Sequence, residues 1–551
     1  MNKSLQQFCF DSRYTLWILL AIAFVLRFWG IHWGLPHAYH PDERLLVARA
    51  IHFFTGDFNP HLFIYPSLLM YILFLANALV FGIGGLFGIS PPVAQLATLY
   101  HQDPTIFYLI NRFVIILFGV LTVWSTFKIA DTVFGRKTAL LAAFLLAILP
   151  VHVLHSHYVT TDVPGVFFLT VTFYFAIRIL IDNHWKNYFL AGLFGGLAAS
   201  VKYNAGLIVL CIVIAPLLTI WLDHPLRWRK NIVQSFKTLF SRRVLAAVSF
   251  SILVYLVTSP YTLLDFQTFI KDFMFQVTVQ RRGHGLIFLA MGNKVVQHIW
   301  VNLQSWGGVL LWLLMLGGIV RSILKLDKYR ALILFWIFLY FLAMLSSNDL
   351  FIRYSLPLAP FLMILAADWV MAAMKSSRTF SVLMGSMAFF AMVYMAVFSI
   401  LLSKNMSLPD TRTQAKLWIE QNIARGSLLA IMQDATGMHD RDDPPLSEED
   451  YRILRDRDLL KLFTSDPNWI VMSSFDFIDY LRIGARLQQT QSNYQALIRL
   501  QTGQTDYQLV RRFDTSPRLL GWNFLGKFPI HDMMYSYPTI LIYQKATKQG
   551  P

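Results

Sequence analysis

Two adjacent acids stand in the segment His40-Pro41-Asp42-Glu43-Arg44, and a third, Asp162, opens a long apolar run. Lys202 and Arg353 lie at the ends of other apolar runs, while Arg281, Arg282 and His284 share a polar connection. A carboxylate beside such cations suits one kind of chemistry. It accepts a proton from an attacking hydroxyl or amine, while the cations hold an anionic group such as a phosphate. Each residue also has a plainer account. Proline at the first helical position followed by two acids is an ordinary helix start, because the N-terminal dipole favours carboxylates. Arg281 and Arg282 read equally well as a solvated loop pair. His152, His155 and His157 precede Asp162, and imidazoles plus a carboxylate can bind zinc. Interfacial histidines explain them more simply, so a divalent metal is left open and none is assigned.

The elements that must position these residues are membrane helices. Of 551 residues, 56% are hydrophobic and only 14% are charged, against roughly a quarter charged in soluble domains. Apolar runs of about 18 to 25 residues match a hydrocarbon core of about 30 Å. The net charge of +16 comes from short Lys and Arg clusters between these runs. That pattern reports membrane orientation and excludes a nucleic-acid face. Two cysteines, Cys9 and Cys211, cannot staple an exported domain.

Residues 16–33 read as a retained signal anchor. Eleven further runs follow, the last at residues 380–402. The basic clusters at Arg227–Arg243, Arg321–Arg330, Lys375–Arg378 and Arg136–Lys137 belong together on the cytoplasmic side. They agree only if one early run fails to cross. Residues 66–87 are the choice, because Gly82, Gly84, Gly85 and Gly88 weaken a helix and Pro91 and Pro92 follow. Residues 45–54 read as a helix lying in the interface. The expected fold is an all-α polytopic membrane domain of about eleven crossings over residues 1–402. A small α/β soluble domain over residues 403–551 follows it, on the non-cytoplasmic side. In that domain Asp410 is expected to cap a helix over residues 411–423, with Gly426 suited to its exit and strands at residues 469–472 and 539–543. No catalytic motif is visible there. The acids and cations above all fall on the outer face.

In this order and sidedness the sequence resembles the GT-C glycosyltransferase superfamily, which includes protein O-mannosyltransferases and the lipid A aminoarabinose transferase. The resemblance rests on His40-Pro41-Asp42-Glu43, Tyr65-Pro66-Ser67-Leu68-Leu69, Asn111-Arg112, Phe134-Gly135-Arg136-Lys137, Pro150 through Asp162, Lys202-Tyr203, and Arg353-Tyr354 through Pro360. It covers about three quarters of the chain. The resemblance implies an inverting hexosyl or pentosyl transferase that takes its sugar from a polyprenyl-phosphate donor. The acceptor would be a protein, lipid or glycan at a plasma membrane, such as a bacterial inner membrane. It further implies that Asp42 is the base, Glu43 its orienting neighbour and Asp162 a second acid. Lys202, Tyr203, Arg353, Arg281 and Arg282 would meet the donor, the arginine pair at 281–282 by charge and side alone. The rival reading is a transporter or flippase of lipid-linked sugars. It would call for internal repeats and broken mid-membrane helices, and no repeat is evident.

Overall fold

The computed structural model describes residues 13–223, 228–283, 292–433, 443–526 and 531–546. The helical domain and the C-terminal domain expected from the sequence are both present. Among the described residues seven helices are long and apolar enough to cross a membrane, or nine if two bent pairs each count as one span. This is fewer than the eleven expected. The shortfall has local causes: Tyr14–Phe28 is short, Arg136–Ala147 is interrupted before Pro150, and Trp185–Val201 stops at Lys202.

The helix Leu68–Leu86 passes the same test, with a mean hydropathy of 2.1. Before it, Tyr65 lies in the electrostatic reach of Asp42. After it, Tyr100 packs edge-on against Phe107 at 5.5 Å, near the start of Thr105–Phe134. One side of it packs on that helix through Phe81 against Phe107 and an Asn77 to Asn111 hydrogen bond of 2.6 Å, while Leu75, Leu79, Val80, Ile83 and Leu86 are exposed. By length and hydropathy it is one of the seven candidate spans, where the sequence reading expected no crossing.

The segment expected to lie in the interface falls in the helix Pro41–His52, which buries one face and leaves the other partly exposed. Glu43, Leu46, Val47, Ala50 and Ile51 form its inner face at the three- and four-residue spacing of one helical stripe. Proline at its first position and the His40 ring, which accepts from the Asp42 N–H at 3.2 Å, start it as the sequence suggests. Further along, Asp162–Asp182 and Trp185–Val201 form a helical hairpin about Asn183, whose φ of 44° reverses the chain. The hairpin returns Lys202 to Asp162. Its second helix packs very closely on Arg242–Thr258: a Cβ at Gly196 would lie 2.5 Å from the Ser251 carbonyl, so only glycine fits.

The last long helix runs Arg378–Met406, slightly past residue 402. Asp410 then caps Thr411–Asn422 through the Arg412 N–H. That helix ends where expected, with Ile423 as its extended C-cap. Strands β1 (Leu428–Met432), β2 (Arg452–Asp456), β3 (Trp469–Ser473) and β4 (Tyr507–Phe513) follow. A short ribbon of β5 (Arg518–Leu519) and β6 (Trp522–Asn523) precedes β7 (Ile540–Lys545). The main sheet has the order β2-β1-β3-β7-β4, parallel at β2-β1-β3 and antiparallel at β3-β7-β4.

One buried ion pair holds the site end of the helical domain together. Arg112 donates to both oxygens of Glu43 at 2.9 and 2.8 Å and to the carbonyls of Ile31 and Trp33, each at 2.7 Å. The Val159 N–H donates to the same carboxylate at 2.9 Å. Four segments meet there with both side chains fully buried. Glu43→Ala leaves the guanidinium buried without its counter-charge, which should cost about 3–5 kcal/mol. Asp42→Ala, one residue away but partly exposed, should cost about 1 kcal/mol or less. Thermal unfolding of the two variants in detergent checks this, and equal midpoints would contradict it.

Candidate functional site

Asp42 and Glu43 are neighbours in sequence but point about 100° apart around their helix. Glu43 faces the core and is saturated by Arg112 and Val159. It holds the loop in place and has no free lone pair directed outward. Asp42 faces a cluster of charges, and its side chain remains 17% exposed. Among the described residues its oxygens accept no hydrogen bond, and the nearest cation is Arg353, whose Nη2 lies 3.6 Å away.

Arg353 stands in the 3-10 stretch Ile352–Leu358, just ahead of the helix Ala359–Ala373. Its Nε lies 4.0 Å from Asp162 and its Nη1 lies 3.6 Å from Asp532. The Phe351 ring centroid is 4.1 Å from the guanidinium carbon. Lys202 donates to the other oxygen of Asp162 and lies 5.1 Å from the Tyr354 ring. Asp162 is thus flanked by two cations, and Asp42 by one. The structure brings together Asp42, Asp162, Lys202 and Arg353, which stand up to 311 positions apart in the chain.

Asp532 has no counterpart in the sequence reading. It comes from the helical turn His531–Met534 of the C-terminal domain, is fully buried, and accepts the Arg353 backbone N–H at 3.0 Å. Burial pushes its carboxyl above the ordinary value, and Arg353 opposes that shift. The sequence did carry a signal. Asp532 is followed by Met533, Met534, Tyr535, Ser536 and Tyr537, an apolar and aromatic run with one acid at its head in an otherwise polar domain. All five are buried where the two domains meet.

Other sequence candidates lie elsewhere. Arg281 and Arg282 end the amphipathic helix Phe266–Arg282, exposed and outside the cluster. The carbonyls of Gln280 and Arg281 accept hydrogen bonds from Asn348, so this helix end braces the loop before Arg353. His284 lies outside the described residues. The Tyr203 hydroxyl donates to the Phe63 carbonyl at 2.8 Å, and the ring packs on Phe273. It pins the loop that carries Tyr65.

The three histidines before Asp162 do not converge on a metal. His152 meets Arg27 at 2.9 Å, and His157 sits between the Val153 and Trp29 carbonyls at 2.9 Å each. His155 alone approaches the cluster, 3.9 Å from Asp532. The guanidinium of Arg353 occupies the space between the carboxylates of Asp42, Asp162 and Asp532. A divalent ion would need that same space. Among the described residues, the group of side chains that meets at metal-binding distance is His52, Asp57 and His61, at the far end of the Pro41–His52 helix.

Comparison with known proteins agrees with this geometry. The sequence profile of the family described as Dolichyl-phosphate-mannose-protein mannosyltransferase matches residues 108–254, a segment that includes Asp162 and Lys202. No curated protein matches the sequence. The oligosaccharyltransferase of Archaeoglobus fulgidus in its apo form superposes with a TM-score of 0.50 at 11% identity, covering 84% of this chain and 70% of that one. The same enzyme tethered to an acceptor peptide gives 0.51 at 13% identity, with coverages of 84% and 69%. ArnT from Cupriavidus metallidurans bound to undecaprenyl phosphate aligns over 98% of both chains at 14% identity, with a TM-score of 0.47. Residues 108–254 thus resemble the mannosyltransferase family, and the chain shares its fold with the Archaeoglobus fulgidus oligosaccharyltransferase.

Proposed function

We propose that the chain transfers a sugar, with inversion, from a polyprenyl-phosphate donor to a hydroxyl or amine acceptor on the non-cytoplasmic side of a plasma membrane. One observation carries the reading. A partly exposed carboxylate with no hydrogen-bonded partner among the described residues, Asp42, stands 3.6 Å from an arginine that shares Asp162 with Lys202, at one end of a bundle of apolar helices. The description of the matched family names a dolichyl-phosphate-mannose donor, which favours a sugar carried on a lipid phosphate.

In this reading the acceptor oxygen or nitrogen attacks the anomeric carbon and Asp42 takes its proton. The bond from that carbon to the phosphate oxygen breaks on the opposite face, and the electron pair leaves with the prenyl phosphate. Lys202 and Arg353 face the charge that develops there. A phosphate is already a good leaving group, so no general acid is required. Asp162 and Asp532 hold the two cations in place before the donor arrives. Fixed cations need no reorganisation in the transition state. Asp532 acts through Arg353, as a positioning residue.

The test is a panel of radiolabelled polyprenyl-phosphate sugars offered to the purified protein. Asp42→Asn should preserve folding and lower turnover by about 10² to 10⁴. A well-folded variant transferring at near wild-type rate would remove Asp42 from the role of base. The search would then turn to Asp162, since Glu43 has no oxygen to spare.

Lys202→Ala and Arg353→Ala should each weaken use of the lipid donor by about 1.5–3 kcal/mol, the worth of a charge-assisted contact. Asp532→Ala should reproduce the donor defect of Arg353→Ala, and the double variant should be no worse than either single one. Additive losses would mean that Asp532 does not act through Arg353.

For orientation, a cysteine introduced at exposed Ser447 in a variant lacking Cys9 should react with an impermeant maleimide on intact cells. Cys211 is buried and should stay silent. Labelling only after permeabilisation would place the C-terminal domain in the cytoplasm.

A further inference from the structure

The helix Pro41–His52 begins at Asp42 and ends about 15 Å away, ten residues on, at His52. A short 3-10 turn follows, and the chain folds back so that Asp57 and His61 meet His52. Both imidazoles present Nε2 to one carboxylate oxygen, Asp57 Oδ2. His61 lies 2.8 Å from it and His52 lies 3.6 Å from it. The second distance is too long for a hydrogen bond, and the buried His52 Nε2 has no other partner among the described residues. We propose that His52, Asp57 and His61 form a structural zinc site, separate from the charge cluster around Arg353.

The geometry fits the ion. In a tetrahedral zinc site with bonds of about 2.0 Å, neighbouring ligand atoms are about 3.3 Å apart. The two nitrogen-to-oxygen distances, 2.8 and 3.6 Å, bracket that value. Two imidazoles and a carboxylate leave one position for water, and nitrogen with oxygen donors suits Zn²⁺ better than Mg²⁺ or Ca²⁺.

The surroundings resemble those of a ligand shell. The other ring nitrogen of His61, Nδ1, faces the Asp265 carboxylate at 3.9 Å, as ligating histidines commonly face an acid that orients the ring. Asp265 is itself held by the Asn59 side chain at 2.9 Å. Asp57 and Asn59 each cap the backbone two residues on, at 2.9 and 3.1 Å. His61 adopts a φ of 47°, a conformation that costs energy in a non-glycine residue and aims its ring back at Asp57. The three side chains are 37%, 47% and 48% exposed, so an aqueous ion can enter.

The ion would staple a helix end to the loop that carries Tyr65 into the cluster. That loop is already tied by the Phe63 N–H to Asp272 at 2.8 Å and by Tyr203 to the Phe63 carbonyl. Zinc closes its remaining free side. Asp265 begins the segment on the other side of the contact, so the staple also bears on the helix Phe266–Arg282.

The test uses the full-length chain purified in detergent with a histidine-free tag, stripped with EDTA and titrated with ZnCl₂ against a chromophoric chelator. One zinc per chain is expected, with a rise in the thermal midpoint. His52→Asn and His61→Asn should each weaken binding by at least about 100-fold and abolish that rise, and Asp265→Asn should weaken it by about 10-fold. Asp57→Asn keeps the side-chain volume and gives the same reading should a histidine variant unfold. Absence of stoichiometric zinc, or zinc of undiminished affinity in the His52→Asn, His61→Asn double variant, would overturn the site. Sugar transfer does not enter either measurement.

Discussion

The pair between Glu43 and Arg112 is the constraint from which the site geometry follows. A guanidinium has five donors, and here four acceptors from two segments receive hydrogen bonds from it: both Glu43 oxygens and the carbonyls of Ile31 and Trp33. Such a group is expensive to bury and more expensive to leave half-satisfied. The end of the first helix, the start of Pro41–His52 and the Val159 loop can therefore meet in essentially one way. Once Glu43 is committed inward, the helical turn of about 100° per residue sends Asp42 to the neighbouring face. The direction of one acid is set by the burial of the other.

A second constraint follows across the domain boundary. Arg353 is ringed by carboxylates from the first loop, from the start of Asp162–Asp182 and from the C-terminal domain. The aromatic seam that docks this domain brings the third of them into place. His40 lies between Tyr158 at 4.4 Å and Tyr535 at 4.7 Å, and Arg412 sits over Tyr39 at 3.9 Å while donating to the Tyr535 carbonyl. The Tyr537 hydroxyl donates to the Leu402 carbonyl at 2.8 Å. These contacts fix the turn that holds Asp532. The C-terminal domain is consequently part of the charge cluster and more than a cover over it.

Much of this was legible in the sequence, for identifiable reasons. Apolar runs and charge clusters report the membrane domain because the bilayer imposes length and polarity on each segment. Pro41, Asp410 and the strand residues around 470 and 541 mark their elements because caps and short apolar runs are local chemistry. The sequence expectation placed Asp42, Asp162, Lys202 and Arg353 on one face, and the structure brings the four side chains into one cluster. The illegible parts depend on long-range partners. Nothing local distinguishes Glu43 from Asp42 as the saturated acid, because the difference is made by Arg112, 69 positions away. Arg281 and Arg282 share charge and side with Lys202, yet the helix before them ends exposed against the 347–348 loop. Helix count was overstated because hydropathy marks how long a segment is, whereas Pro150 and the Lys202 junction decide where a helix stops.

The charge balance of the cluster explains why a bundle of apolar helices needs a soluble domain on this face. Asp42, Asp162 and Asp532 supply three carboxylates against the two cations Lys202 and Arg353. With only the helical domain's residues, two acids would meet two cations and the pairs could close on themselves. Adding Asp532 changes which partner is left over. It draws Arg353 by its Nη1 and its backbone N–H, while Lys202 engages Asp162 directly. Asp42 is then the carboxylate with the weakest claim on a cation, at 3.6 Å and without a hydrogen bond. A base must keep a lone pair available to the acceptor, and a surplus acid is a direct way to ensure it. The same burial that lifts the Asp532 carboxyl above its ordinary value eases the accumulated negative charge. The third acid thus tightens the hold on Arg353 and leaves Asp42 partly exposed and available to an acceptor.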